Sequence, residues 1–261
     1  MRVAAGIVVV LVAAVALILL VAEPAASPKH RVARARGPVQ RAATPRPSTP
    51  RLRRFTIGHS VRGRRIDAYE LAAPGASKAV LVVGCIHGNE LAGIAIARQL
   101  LTARPPAGSA LWMIPDLNPD GVAASTRQNA DLVDLNRNFP WHWRPLGAPG
   151  DIHYSGPRAL SEPESRAGRA LILRVRPRIS IWFHQHQDLV DLSAGDPRIE
   201  RRFASLVGLP VMQLTRYPGS AVSWENSVLP GTTAFVVELP GGSLSRASVT
   251  RYVNAVLTLA R

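Results

Sequence analysis

Leu81-Val-Val-Gly-Cys-Ile-His-Gly-Asn-Glu90, followed at once by Leu91-Ala-Gly-Ile-Ala-Ile-Ala-Arg-Gln-Leu100, is the stretch on which the fold turns. An apolar run ends at Gly84, His87 and Glu90 follow three residues apart, and a helical pattern begins where the Glu sits. That order reads as strand, tight turn, helix, with His87 and Glu90 at the carboxyl end of the strand. Open α/β sheets bind ligands at that edge. Imidazole and carboxylate are both ligands for a zinc-like cation. Alone, His-x-x-Glu says little, because a Glu at a helix start also answers the helix dipole. A metal site therefore requires a third ligand, a base and a substrate clamp elsewhere in the chain.

Working outward, Ile66–Ala72 alternates as a strand does, and Lys78–Gly84 is apolar throughout, as in a strand covered on both faces. Leu91–Ala103 has helical spacing, and Ala110–Pro115 is a further short strand. Residues 118–160 read as loop, rich in Pro, Gly, Asn and Asp, and a loop of that length in a compact domain is usually functional. Ser161-Glu-Pro-Glu164 reads as the start of a helix, with Ser161 as N-cap and Glu164 as its capping-box partner. Arg178–Phe183 reads as a strand ending in His184, Pro197–Val207 as a helix, Thr233–Leu239 as a strand and Ser243–Leu259 as a last helix. Alternating strands and helices place the chain in the α/β class.

The amino-terminal fifth has a different composition. Val3–Ala22 is twenty residues without a charge, long enough to span a bilayer as a helix, while small residues near 22–26 would suit a cleaved signal. Residues 23–54 are rich in Pro, Ala, Arg and Ser/Thr and read as an extended linker. Residues 1–54 hold ten Lys/Arg against one acid, Glu23, so they carry most of the net charge of +15. The expected organisation is an anchor or signal over 1–22, a basic linker over 23–54 and a catalytic domain from Phe55 to Arg261. Basicity confined to a tail points to an anionic wall or membrane surface. Nucleic acid is not expected, since no recognised nucleic-acid motif accompanies the charge. The single Cys85 excludes an intramolecular disulfide and reads as a small buried residue.

The chemistry-bearing segments recur in a recognisable order. They are Ser60-Val-Arg-Gly-Arg-Arg-Ile66, His87-Gly-Asn-Glu90, Asn118-Pro-Asp-Gly121, Thr126-Arg127, and Asp134-Leu-Asn-Arg-Asn-Phe-Pro140. Tyr154-Ser-Gly-Pro157, Ser161-Glu-Pro-Glu164, Trp182-Phe-His-Gln185, Tyr217-Pro-Gly219 and Phe235-Val-Val-Glu-Leu-Pro240 follow. In this order they resemble the zinc carboxypeptidase family, in particular its short bacterial members of the murein peptide amidase type. Residues 1–54 lie outside the resemblance. It implies a mixed sheet flanked by helices on both faces and one zinc per chain. His87, Glu90 and His184 match the metal ligands. Arg127 matches an oxyanion stabiliser, Asn136 and Arg137 a clamp for the substrate's terminal carboxylate, Tyr217 a phenol over the substrate, and Glu238 the general base.

The residues support these roles independently. Two imidazoles and one carboxylate are the three-ligand set of a hydrolytic zinc with one open position. Glu238 ends an apolar strand, where a carboxylate is costly unless paired or functional. Guanidinium forks bind carboxylates bidentately. Rival readings stand beside them. His186 competes with His184 as third ligand, although the aromatic-His-Gln pattern selects His184. Arg137 could instead neutralise Asp134. His30, His59, His142 and His153 take loop or packing roles, and Val222 falls near where relatives set specificity.

The expected function is a monomeric, exported or membrane-anchored zinc peptidase that cuts an amide next to a residue bearing a free carboxylate. The resemblance implies a peptidoglycan stem peptide, cut between γ-D-glutamate and a diamino acid. Two alternatives are a general carboxypeptidase on ordinary peptides and a small-molecule N-acyl amino acid deacylase. Asn118-Pro-Asp-Gly and Val237-Glu-Leu-Pro point away from the deacylase.

Overall fold

The computed structural model describes residues 49–261, which fall within one unit, Pro45–Arg261. The expected anchor or signal over 1–22, and the linker up to residue 48, lie outside the described residues. No helix among the described residues is long and apolar enough to cross a membrane.

Among the described residues, eight strands form one mixed sheet in the order β1-β2-β4-β3-β5-β8-β6-β7. They are β1 (Arg51–His59), β2 (Arg65–Ala72), β3 (Lys78–Val83), β4 (Ser109–Ile114), β5 (Ile179–Gln185), β6 (Leu189–Asp191), β7 (Val211–Met212) and β8 (Thr233–Leu239). The four central strands β4, β3, β5 and β8 run parallel; β1 and β2 are antiparallel on one side, and β6 is antiparallel to β8 on the other. The helices are α1 (Ala92–Leu100), α2 (Pro119–Ala124), α3 (Pro163–Val175), α4 (Pro197–Val207), α5 (Ala221–Val228) and α6 (Arg246–Leu259).

Strand alternation divides the core into two layers. Val80 and Val82 of β3, Ile179, Ile181 and Phe183 of β5, and Phe235, Val237 and Leu239 of β8 pack on one face with residues of α1, α4 and α6. Leu81, Val83, Trp182 and Ala234 point to the other face, with Ala167, Leu171 and Ile172 of α3 and Ala221, Val222 and Trp224 of α5. Because both faces are covered, the central strands are apolar throughout and not alternating. On the α3/α5 face the same parity brings His184 and Glu238 level with each other, as direct register partners at the ends of β5 and β8.

The connections explain where a site can form. From β3 the chain crosses through α1 to β4 on one side, while α3, on the opposite face, leads to β5 on the other side. The carboxyl end of β3 is thus the point where the winding direction reverses, and a crevice opens there. His87 and Glu90 follow β3 directly. Gly88 permits this loop: a Cβ there would collide with the backbone of Gly121 in α2.

Several sequence expectations need correction. The sheet begins at Arg51, four residues inside the segment assigned to the linker, because Arg51–Arg54 pair with Tyr69–Ala72 of β2. The capping box at Ser161 does not form. Glu162 occupies the N-cap position of α3, the Ser161 hydroxyl donates to Glu162 Oε1 at 2.6 Å, and Glu164 accepts from Val61 N–H at 3.0 Å. The long loop is not featureless, since it contains α2, capped by Asn118, and a 3-10 turn over Leu135–Arg137, capped by Asp134.

Candidate metal centre and its cavity

The strand ends and the β3–α1 loop bring His87, Glu90 and His184 together, all three buried. His87 Nδ1 lies 2.9 Å from Glu90 Oε1, His184 Nδ1 lies 3.0 Å from Glu90 Oε2, and the two Nδ1 atoms are 3.1 Å apart. Ligands held about 2.1 Å from a tetrahedral zinc stand roughly 3.4 Å from one another, so this spacing suits the ion.

The proton arrangement also calls for a cation. His87 Nε2 is 3.0 Å from Oδ1 of fully buried Asp134. Burial opposes ionisation of Asp134, but His87, His153 and Arg127 outweigh it and hold the carboxyl well below its usual range. An ionised carboxylate only accepts, so His87 Nε2 carries a proton toward Asp134, and Nδ1 is the nitrogen that faces the Glu90 oxygens. Burial lowers the His87 pKa, while Glu90 and Asp134 more than offset it and raise the balance. Glu90 behaves in kind: burial would raise it, yet the two imidazoles hold it well below its ordinary value. Positive charge is therefore favoured among these donor atoms. The buried His-Glu-His set fits zinc, with Asp134 orienting His87 from behind, as outer carboxylates do for metal-bound imidazoles.

All eight sequence-derived site residues line one cavity of about 390 Å³: His87, Glu90, Arg127, Asn136, Arg137, His184, Tyr217 and Glu238. His186, the rival ligand, is exposed and outside the His-Glu-His group. Glu238 is 7% exposed, and its Oε2 is buried with no hydrogen-bond partner. Burial raises its pKa; His184 opposes this and Glu90 reinforces it. A carboxyl tuned upward beside the metal donors suits proton transfer.

Arg127 is held by carboxylates on two sides. Its Nη1 donates to Glu90 Oε1 at 3.1 Å, and its Nε and Nη2 donate to Asp134 Oδ2 at 3.1 and 3.0 Å. Arg137 does not pair with Asp134, so the neutralisation reading fails, because His87, Arg127 and His153 already take that carboxylate. Arg137 is buried, its Nε has no partner, and burial lowers its pKa. A buried guanidinium at the wall of a cavity suits an anionic ligand. The Tyr217 ring sits 4.4 Å from the Arg137 guanidinium carbon, and Asn136 Oδ1 accepts from Ala221 N–H at 2.9 Å, fixing the start of α5. Gly219, at φ +78°, lies against the Arg137 carbonyl, where any Cβ would collide.

Three contributors were not recognised from sequence. Asp134 is legible only as a neighbour of Arg137, yet it joins the His87–Glu90 loop to the Asn136–Arg137 turn. His153, assigned a bland role, lines the cavity, reaches Asp134 Oδ2 at 3.3 Å and stacks on Tyr217 at 6.4 Å. Asp191 also lines it; its one signal was an acid inside the apolar stretch Leu189-Val-Asp-Leu192.

Comparison with known proteins agrees with this geometry. The zinc carboxypeptidase family model matches residues 46–198, more than half of the chain. Murein peptide amidase A of Vibrio campbellii is 29% identical over 218 residues, covering 78% of this chain and 86% of that protein. Bacteriocin BCN5 of Clostridium perfringens is 30% identical over 241 residues, covering 82% of this chain, which spans only 26% of the bacteriocin. The crystal structure of murein-tripeptide amidase MpaA from Escherichia coli O157 superposes with a TM-score of 0.65 at 25% identity, over 87% of this chain and 96% of that one.

Proposed function

The chain belongs to the zinc carboxypeptidase family and is a zinc metallopeptidase, and we propose that its substrate is a peptidoglycan stem peptide, cut between γ-D-glutamate and a diamino acid. The observation that carries this reading is the likeness to murein amidases over most of both chains, and Asn136 and Arg137 lining the same cavity as the His-Glu-His group support it.

His87, Glu90 and His184 would hold the metal. Zinc, when bound, supplies a Lewis acid that acidifies water and polarises the scissile carbonyl. Arg137 binds the carboxylate of the residue on the leaving-group side, and Asn136 frames it. Tyr217 lies over that guanidinium, 45% exposed, and covers the bound group. Arg127 presents its guanidinium to the oxygen on which negative charge develops; a preorganised donor of this kind contributes about 3 kcal/mol. Glu238 accepts a proton from the attacking water and returns it to the departing amine nitrogen.

We extend the proposal to location. The uncharged run Val3–Ala22 and the basic segment behind it support an exported enzyme held near an anionic wall or membrane surface. Mass spectrometry of the mature amino terminus tests this: a start between residues 22 and 30 means a cleaved signal, an intact Met1 in the membrane fraction means an anchor, and an intact Met1 in the cytosol overturns export. The substrate is tested with defined murein tri- and tetrapeptides and product masses. Release of the diamino acid or its carboxy-terminal fragment supports the reading. Cleavage of ordinary carboxy-terminal peptides alone replaces it with a general carboxypeptidase.

A further inference from the structure

The amino edge of the sheet, opposite the metal centre, carries a charge pattern that peptide cleavage does not use. β1 is antiparallel to β2 and β2 to β4, so β1 runs with the central strands and starts at the same edge as they do. Register sets one row along that edge: Arg51 pairs with Ala72, Ala72 with Ala110, and Ala110 with Ala79. Arg178 N–H donates to the Ala79 carbonyl at 2.9 Å, which brings the residue before β5 into the same row. His184 ends the same extended segment, so the row lies roughly 20 Å from the metal donors.

The segments at this edge, residues 49–54, 72–78, 101–109, 174–178 and 228–232, contain no Asp or Glu. They include Arg51, Lys78, Arg104, Arg174, Arg176 and Arg178, all exposed. None of these cations has an acidic partner within 4.0 Å among the described residues. Arg176 is the left-handed C-cap of α3, at φ 48°, and turns the chain from the helix toward β5. There Lys78, Arg176 and Arg178 line one notch of about 290 Å³, with Ser77 and Thr232 beside them. Like charges gathered without a counter-charge repel one another, and anions supplied from outside relieve that repulsion. The chain before the described residues joins the domain at this same edge, since β1 begins at Arg51. That chain holds the uncharged run Val3–Ala22 and a basic stretch whose one acid is Glu23.

We propose that this edge docks on the phosphate headgroups of an anionic lipid bilayer, so that the catalytic cavity opens away from the membrane. The inference goes beyond the cleavage reaction and rests on the location proposal only in that residues 3–22 bring the chain to the bilayer. A bilayer fits this edge because the row is broad and level: four strand spacings set Arg51 roughly 19 Å from Arg178. The apolar run and the basic row then meet one surface. Each cation near such a surface strengthens binding by roughly fivefold, so the three of the notch amount to about 100-fold.

The test uses the full-length chain in phosphatidylcholine vesicles with or without phosphatidylglycerol, read by flotation and by quenching from a headgroup spin label. A fluorophore is placed on Ser77→Cys at the notch or, for comparison, on Ser243→Cys beyond β8 at the carboxyl edge; both positions are exposed and the native Cys85 is buried. With phosphatidylglycerol the Ser77 label should be quenched about threefold more than the Ser243 label, and about 0.5 M salt should erase the difference. Lys78→Glu/Arg176→Glu/Arg178→Glu should weaken docking by roughly 100-fold and bring the two labels level, with zinc content and turnover of a soluble substrate unchanged. The lipid comparison needs no change in the notch cations, so it stands even if the triple variant misfolds. Equal quenching of both labels, or a Ser77 signal indifferent to lipid charge, overturns the proposal. Flotation separates the two ideas. A chain that floats with both lipids without a Ser77 preference keeps the anchor and loses the docking face. A chain that floats only with phosphatidylglycerol, and only with the three cations in place, loses the anchor and keeps the face. Polyphosphate at the vesicles' phosphate concentration should leave the quenching in place, because an anchored chain meets its bilayer at high effective concentration. Displacement by polyphosphate assigns the edge to a free polymer and overturns the proposal.

Discussion

Glu225 is a test of the electrostatics beneath the site. It is fully buried on α5, where Ser180 Oγ donates to its Oε1 and Trp182 Nε1 donates to its Oε2 at 3.1 Å. Burial pushes its pKa from 4.5 to about 7, and the two hydrogen bonds only partly oppose this. The folded state therefore binds a proton more tightly than the unfolded chain. Stability from this group is fully present below pH 4.5, falls as pH rises, and is lost by about pH 7. A shift of this size corresponds to roughly 3 kcal/mol. Glu225→Gln removes the titration and keeps both contacts, since the amide oxygen can accept from Trp182 and the amide nitrogen can donate to Ser180 Oγ. Urea unfolding of wild type and variant at pH 5 and pH 8, in saturating zinc, reads the effect. Asp116, Glu164, Glu200 and Glu238 are also raised by burial, but they are common to both proteins and cancel. The variant should gain about 2–3 kcal/mol on the wild type between pH 5 and pH 8, about 4–12 °C in Tm for a domain of this size. Parallel pH dependence, within about 0.5 kcal/mol, would refute the reasoning.

Other expectations bear on the site itself. Glu238→Gln should retain zinc by metal analysis yet lose about 10²- to 10⁴-fold in kcat, and near-normal turnover removes Glu238 from its role. Asp134→Asn should weaken zinc binding by roughly 10- to 100-fold in a chelator competition, because His87 loses the partner that fixes its tautomer; unchanged affinity counts against that role. Gly219→Ala should cost roughly 2 kcal/mol in chemical denaturation and raise KM by displacing Arg137. Arg137→Lys should raise KM more than it lowers kcat, since a point charge replaces a planar fork; a pure kcat effect would point to a role in the transition state.

The sequence was most readable where local pattern and tertiary role coincide. β3, β5 and β8 are apolar because both faces are covered, and His184 and Glu238 stood out as polar residues ending such runs. Period-2 alternation sets them on one face, and the parallel pairing of β5 with β8 brings them level. β1 escaped notice because it is an edge strand whose Arg51–Arg54 are exposed, leaving little apolar signal. β6 and β7, at three and two residues, are too short for any periodicity, and α5 spans eight. The capping-box motif at Ser161 misled because Glu164 is drawn to the distant Val61 N–H, a contact invisible to local rules. His153 and Asp191 were missed for the same reason: each reaches the cavity through chain folding and not through spacing.

The parity of the central strands has a consequence for how this gene can change. Odd residues of β5 and β8 belong to one layer, and the even residues His184 and Glu238 to the other. A one-codon deletion inside β5 ahead of His184 would set Gln185 at the level of the metal donors and turn the imidazole into the opposite core. A two-codon change would preserve the faces and shift only the depth. Length variation should therefore be poorly tolerated in these strands except in pairs, while the turns between them absorb single codons. A scan of in-frame deletions, scored by growth or zinc content, would show that alternation directly.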